Sequence, residues 1–191
     1  MSSAGGDRPL RADARRNRDR LVDAARTIFT ERGSETSMEE VARRADVGVG
    51  TLYRHFPKRI DLVEAVYLED VDTLVGLVSE LCTGDAWAAI EGWLKAFVAY
   101  AAAKRTFLTE LREAFEKSPN LAVASREKIR AATGQVLTYA QEGGAARLDI
   151  DGHELLQLVS GMCMASNATK AENERLLVFI LDGIRTHPSA R

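Results

Sequence analysis

Residues 37–59, SMEEVARRADVGVGTLYRHFPKR, restrict what this chain can fold into more than any other stretch. Ser37 stands three residues before Glu40, the register of a helix N-cap and its capping box. Met38, Val41, Ala42 and Ala45 then recur on one face of a short helix. Asp46-Val47-Gly48 supplies a tight glycine-bearing turn. A second short helix is predicted from about Gly48 to Phe56, with Leu52 and Phe56 one turn apart and facing inward. Pro57 stops it, because proline cannot continue the hydrogen-bond ladder. Two helices joined this way cross at a steep angle, the helix-turn-helix arrangement. Val49, Thr51, Tyr53, Arg54 and His55 are left on or near the open side, and Gly50 leaves bare backbone. An outward Tyr-Arg-His face serves no core, but it suits a helix entering a DNA groove.

The rest of the chain reads as all-α, with few prolines and little strand-like alternation. Residues 1–12 are expected to be disordered and the first helix to begin near Asp13, with Leu21, Val22, Ala25, Ile28 and Phe29 as its apolar stripe. Gly33 is expected to end it. A long helix follows from Lys58 to about Leu81, roughly 36 Å at 1.5 Å per residue. Between Ala86 and Ala103 only Glu91 and Lys95 are charged, and apolar residues nearly ring that helix. Ser118-Pro119-Asn120 breaks the next helical segment, and Leu121 to Glu142 forms another, closed by Gly143-Gly144. Asp151 caps a further helix with Glu154 in register, and the last runs from near Glu172 to Arg185. About nine helices are expected in two domains: a helix-turn-helix head over 8–60, its motif at about 37–56, and a helical body over 61–191. The boundary falls within the long helix.

Charge divides along the same line. Residues 1–60 carry 13 Lys and Arg against 9 Asp and Glu, and residues 61–191 carry 13 against 19. A basic head on an acidic body points to a polyanion partner for the head alone. No apolar run approaches a membrane span and no secretory signal opens the chain, so a cytoplasmic protein without membrane contact is expected. Cys82 and Cys163 fit no disulfide or metal spacing. His153-Glu154 continues Leu-Leu-Gln and lacks the second histidine of a zinc-protease motif. Neither an enzyme, a metal nor a cofactor is expected.

At Val41-Ala42 and Gly50-Thr51-Leu52-Tyr53-Arg54-His55-Phe56, with Pro57, Arg59 and Leu62 following in register, the chain resembles the tetracycline-repressor (TetR) family of bacterial transcriptional regulators. The motif resemblance covers about residues 13–66. It implies that Ser37, Tyr53, His55 and Arg59 hold phosphates, while Val49, Thr51 and Arg54 lie nearest base edges. Gly48 replaces a common serine and offers only its backbone N–H; Arg59, preceded by Lys58, replaces the usual lysine. Gly50 and Lys58 complete the expected DNA-contacting set. The arginines of the arm, Arg8, Arg11, Arg15, Arg16, Arg18 and Arg20, suit either a minor-groove segment or a solubilising tail.

The aromatic ring of the fifth helix is either plain core or the lining of a ligand cavity, and the resemblance favours the cavity. Its candidate lining is Trp87, Trp93, Phe97, Tyr100, Phe107, Leu111, Phe115, Met162 and Asn167, suited to a small and largely apolar effector. The last two helices carry more apolar surface than one small core needs. They are expected to form a homodimer through Leu155, Leu156, Val159, Leu177, Phe179, Ile180 and Ile184. The whole implies a repressor released from a palindromic double-stranded operator by ligand. A regulator without a small-molecule effector, or a ligand-binding scaffold with only nonspecific DNA binding, remain as alternatives.

Overall fold

The computed structural model describes residues 7–165 and 169–186. Among these residues the chain forms nine α-helices: α1 (Asp7–Arg32), α2 (Met38–Arg44), α3 (Val49–His55), α4 (Arg59–Leu81), α5 (Ala86–Arg105), α6 (Leu108–Lys117), α7 (Pro119–Glu142), α8 (Gly152–Met164) and α9 (Lys170–Ile184). The only extended pairing described is an isolated antiparallel bridge between Ala146 and Arg185. The all-α reading of the sequence holds.

The helices form two compact units. The first takes in the described residues through Leu68 and also Thr106–Ser118; the second takes in Glu69–Arg105 and the described residues from Pro119. This division differs from the expected boundary at 60/61. Two further turns of α4 belong with the head, and so does α6, which lies well downstream in sequence.

In the first unit α1 packs against α2 and α3. Its stripe of Leu21, Val22, Ala25, Ile28 and Phe29 is buried, as are Val41, Ala42, Leu52 and Phe56 of the motif. The first helix starts six residues earlier than the sequence suggested, at Asp7 rather than Asp13. Pro9 falls in its first turn, where a missing N–H breaks no intrahelical bond, and Leu10, Arg11 and Ala12 are good helix formers. The expectation of a disordered arm is thus corrected for residues 7–12: Arg8 and Arg11 sit on helical backbone. Gly33 does end α1, with φ of +60°, and a Cβ there would lie 2.7 Å from the Thr106 carbonyl oxygen. Glycine is required on both counts.

α6 brings Phe107 to 5.8 Å from Phe29, ring centre to ring centre, and Phe115 edge-on to Tyr67 at 5.1 Å. Lys117 donates to Asp61 at 2.9 Å, while the same carboxylate accepts the Lys58 backbone N–H at the start of α4, also at 2.9 Å. These two bonds, the lysine's first, hold the Asp61 carboxyl below its ordinary range.

In the second unit α5 packs against α7, α8 and α9. Ile90, Trp93, Leu94 and Phe97 fill its core, and Trp93 stacks on Phe97 at 5.8 Å. Asp151 and Glu154 close the expected capping box on α8. Thr169 and Glu172 close a second one that starts α9 at Lys170, two residues ahead of the expected start. Lys104 is buried and ion-paired to Asp70, with its ammonium 5.0 Å from the Tyr100 ring centre. α8 crosses α7 closely enough that a Cβ on Gly152 would lie 2.7 Å from Gly134 Cα.

Candidate nucleic-acid interface

Ser37 opens α2, and its hydroxyl oxygen accepts the Glu40 N–H at 3.1 Å. The reciprocal half of the capping box is not made, because the Glu40 carboxylate pairs with Arg32 and Arg43 instead. The turn into α3 falls at Asp46-Val47-Gly48, as expected. Its left-handed residue is Asp46, with φ of +51°, whereas Gly48 has φ of −61° and serves as the N-cap of α3. Aspartate tolerates this conformation better than most side chains do. Arg20 of α1 fastens it, donating to the Asp46 carbonyl at 2.9 Å and to its carboxylate at 3.1 Å. Arg44 and Glu31, 3.4 Å apart, add a second tie between α2 and α1.

On this frame α3 presents its outer face. Val49 and Tyr53 are 41% and 42% exposed, and Gly48, Gly50 and Arg54 are open to solvent. Thr51 and His55 are half-buried, and the His55 ring lies 6.3 Å from that of Phe56. Arg54 makes no hydrogen bond or ion pair among the described residues, so its guanidinium is free to meet a planar acceptor. Tyr53 is engaged: its hydroxyl donates to Glu39 at 3.0 Å. That bond raises the Tyr53 pKa, while that of the Glu39 carboxyl is lowered first by its own backbone N–H and then by the Tyr53 hydroxyl. To hold a phosphate, the hydroxyl must leave this carboxylate. The side chain of Lys58 is exposed.

Arg59 departs from the expected set. Its guanidinium turns inward, donating to the Thr36 carbonyl and, at 3.3 Å, to the Glu110 carboxylate, and it lies over the Phe29 ring at 4.7 Å. It ties α4 to the loop before α2 and to α6, and the sequence motif gives no sign of Glu110. Arg20, Asp46 and Glu39 are the other positioning residues that sequence reasoning missed.

The residues of the expected effector lining are divided between the two units. Phe107 and Leu111 are buried and Phe115 half-buried in the first unit, where Phe107 meets Phe29 and Phe115 meets Tyr67. Trp87, Trp93, Phe97, Tyr100 and Met162 belong to the second, and Asn167 lies outside the described residues. Within the second unit, Trp93 and Phe97 are core and the Trp93 indole N–H has no acceptor. Trp87 lies under the Arg185 guanidinium at 4.7 Å. The expected dimer set also divides. Leu155, Val159, Leu177 and Ile184 are buried within their own chain and unavailable to a partner, Leu156 and Ile180 are half-buried, and Phe179 is 72% exposed. Leu158 and Leu176, absent from that set, are exposed beside it in helical register.

Residues 21–66 match the family model described as bacterial regulatory proteins, tetR family, and residues 85–186 match that of the SbtR-like transcriptional regulator C-terminal domain. A TetR transcriptional regulator of Streptomyces coelicolor is similar at 34% identity, covering 91% of this chain and 99% of its own, with a TM-score of 0.79. A TetR regulatory protein of Mycobacterium vanbaalenii is similar at 32% identity, covering 93% and 100%, with a TM-score of 0.72. An HTH-type transcriptional regulator of Staphylococcus aureus is 40% identical over 67 residues, and this match spans 36% of its length and 35% of the chain. Such proteins are regulators and not enzymes, and among the described residues no helix is long and apolar enough to cross a membrane. The helix-turn-helix head, the helical body and these likenesses agree, and the chain belongs to the TetR family of DNA-binding transcriptional regulators.

Proposed function

We propose that this regulator acts in the cytoplasm as a repressor on a palindromic operator, and that a small, largely apolar ligand bound by its second unit releases it. The observation that carries operator reading is Arg54: exposed, unpaired, and on the outer face of α3 beside Val49 and Thr51. An arginine so disposed suits bidentate contact with guanine, worth about 1–3 kcal/mol of discrimination. Ser37, the Gly48 and Gly50 backbone, Tyr53, His55 and Lys58 then hold phosphates, which fix register without reading sequence. Arg54→Ala is expected to flatten operator preference, whereas Tyr53→Phe weakens every sequence alike. Gel-shift titration against single base-pair operator variants distinguishes them. Identical discrimination by wild type and Arg54→Ala would remove the assignment. Steep salt dependence with no sequence preference in the wild type would reduce the head to nonspecific binding.

The palindrome requires two heads related by a two-fold axis, reading major grooves about 34 Å apart. Leu176, Phe179, Ile180 and Gly183 fall on one stripe of α9, and Leu158 of α8 lines a surface cleft with the last three. An apolar stripe of this kind favours self-association through α8 and α9. Phe179→Glu is expected to leave a monomer at micromolar concentration in sedimentation velocity, where the wild type is a dimer; a monomeric wild type would remove the claim. Ligand then acts by favouring a conformer whose heads no longer match successive grooves.

A further inference from the structure

A cleft of about 490 Å³ runs between α5 and α9 in the second unit, walled by Val98, Ala99, Ala102, Leu177, Val178 and Leu181. Its volume is that of a small-molecule site. Asn173 of α9 also lines it, although the residue is only 4% exposed. The Asn173 Oδ1 is sealed from solvent and accepts no hydrogen bond. Folded chains seldom leave a buried amide oxygen in that condition. The four charged residues of the lining cancel one another: Lys95 pairs with Glu91 at 2.5 Å along α5, and Lys170 with Glu174 at 3.9 Å along α9. The walls are therefore apolar, the charges bring no net field, and one acceptor is missing its donor. Val178 stands 54% exposed at this cleft, and it faces away from the Leu176–Phe179 stripe of the same helix.

We infer that this cleft binds a small, neutral and mainly apolar molecule whose hydroxyl or N–H donates to Asn173 Oδ1. A carboxylate ligand is disfavoured, because it cannot supply the missing donor and the paired charges of the lining offer it no net attraction. None of the residues expected from sequence to line an effector pocket contributes to this wall. The inference rests on the reading that the second unit takes a ligand, and it is independent of how the head reads DNA.

The test uses the full chain without DNA and three probes in titration calorimetry: 1-decanol, its donor-free isostere methyl nonyl ether, and decanoate. Saturable decanol binding is expected, with the ether and decanoate each about tenfold weaker, the effect of one hydrogen bond of about 1.4 kcal/mol. Ala99→Trp, which fills the cleft from α5, is expected to abolish decanol binding with unchanged circular dichroism. Val178→Trp does the same from α9, on a side chain already exposed. Asn173→Leu should erase the difference between alcohol and ether, and should raise Tm by about 2–4 °C through removal of an unpartnered amide. No saturation by decanol up to its solubility limit, full binding in both tryptophan variants, or an alcohol preference that survives Asn173→Leu would each overturn the inference. Binding that passes these tests while operator affinity stays unchanged would keep the site and discard the release mechanism, so the two failures are separable.

Discussion

Arg59→Ala is expected to destabilise the first unit by about 2–4 kcal/mol, the range for breaking a largely buried ion pair, reduced because this one is partly open to solvent. The substitution removes the cation between the Thr36 carbonyl and Glu110 and uncovers the Phe29 ring. Glu110 is left worse off than before, since its Oε2 is already buried without a partner. Urea denaturation read two ways checks the effect. Both tryptophans, Trp87 and Trp93, lie in the second unit, so their fluorescence follows that unit while far-ultraviolet dichroism follows all helices. The dichroism transition should move to lower urea ahead of the fluorescence transition, breaking two-state coincidence. Arg59→Ala combined with Glu110→Gln should lose less than the sum of the single losses, because the stranded charge is gone. An unchanged midpoint with DNA affinity alone reduced would return Arg59 to the phosphate-contacting set.

In the second unit the largest effect is expected at Trp93. The side chain is fully buried and stacked on Phe97, so Trp93→Ala opens a large cavity and should destabilise by about 3–5 kcal/mol. Trp93→Phe keeps the ring and deletes an indole N–H that has no acceptor. Its cost should therefore stay within about 1 kcal/mol, the lost volume being offset by the relieved polar group. Denaturation followed by dichroism separates the two variants. An equal loss in both would mean that indole volume alone matters at this position.

What the sequence makes legible here is local. Ser37 with Glu40 and Asp151 with Glu154 announce helix starts because a cap and its N3 residue are three apart, and the structure makes both hydroxyl- or carboxylate-to-backbone bonds. The α1 stripe and the inward Leu52 and Phe56 are equally readable, since helical periodicity alone assigns them to the core. Partnerships at long range are not. Glu110 lies 51 positions from Arg59, and nothing in a family motif at residues 41–62 records it. The geometry inside the turn is equally hidden: its left-handed residue is Asp46, which Arg20 secures from 26 positions away, while Gly48 caps α3. In α9 the run LLVFIL is apolar on nearly every side, so periodicity could not say which members face inward. The packing against α5 and α8 decides it, burying Leu177 and Leu181 and leaving Leu176, Val178 and Phe179 outside.

The membership of α6 in the first unit has a consequence for how the protein is made. The head is not finished when its own segment has been synthesised. Until Ser118 has left the ribosome, Phe29 lacks Phe107, Tyr67 lacks Phe115, and Arg59 lacks Glu110. At cellular elongation rates the stretch from Leu68 to Ser118 takes roughly 3–10 s to produce. For that interval a nascent chain carries an assembled recognition motif over an open apolar seat, a window in which a chaperone, or another nascent copy, can reach it. A fragment cut after Leu68 would hold that unfinished state permanently.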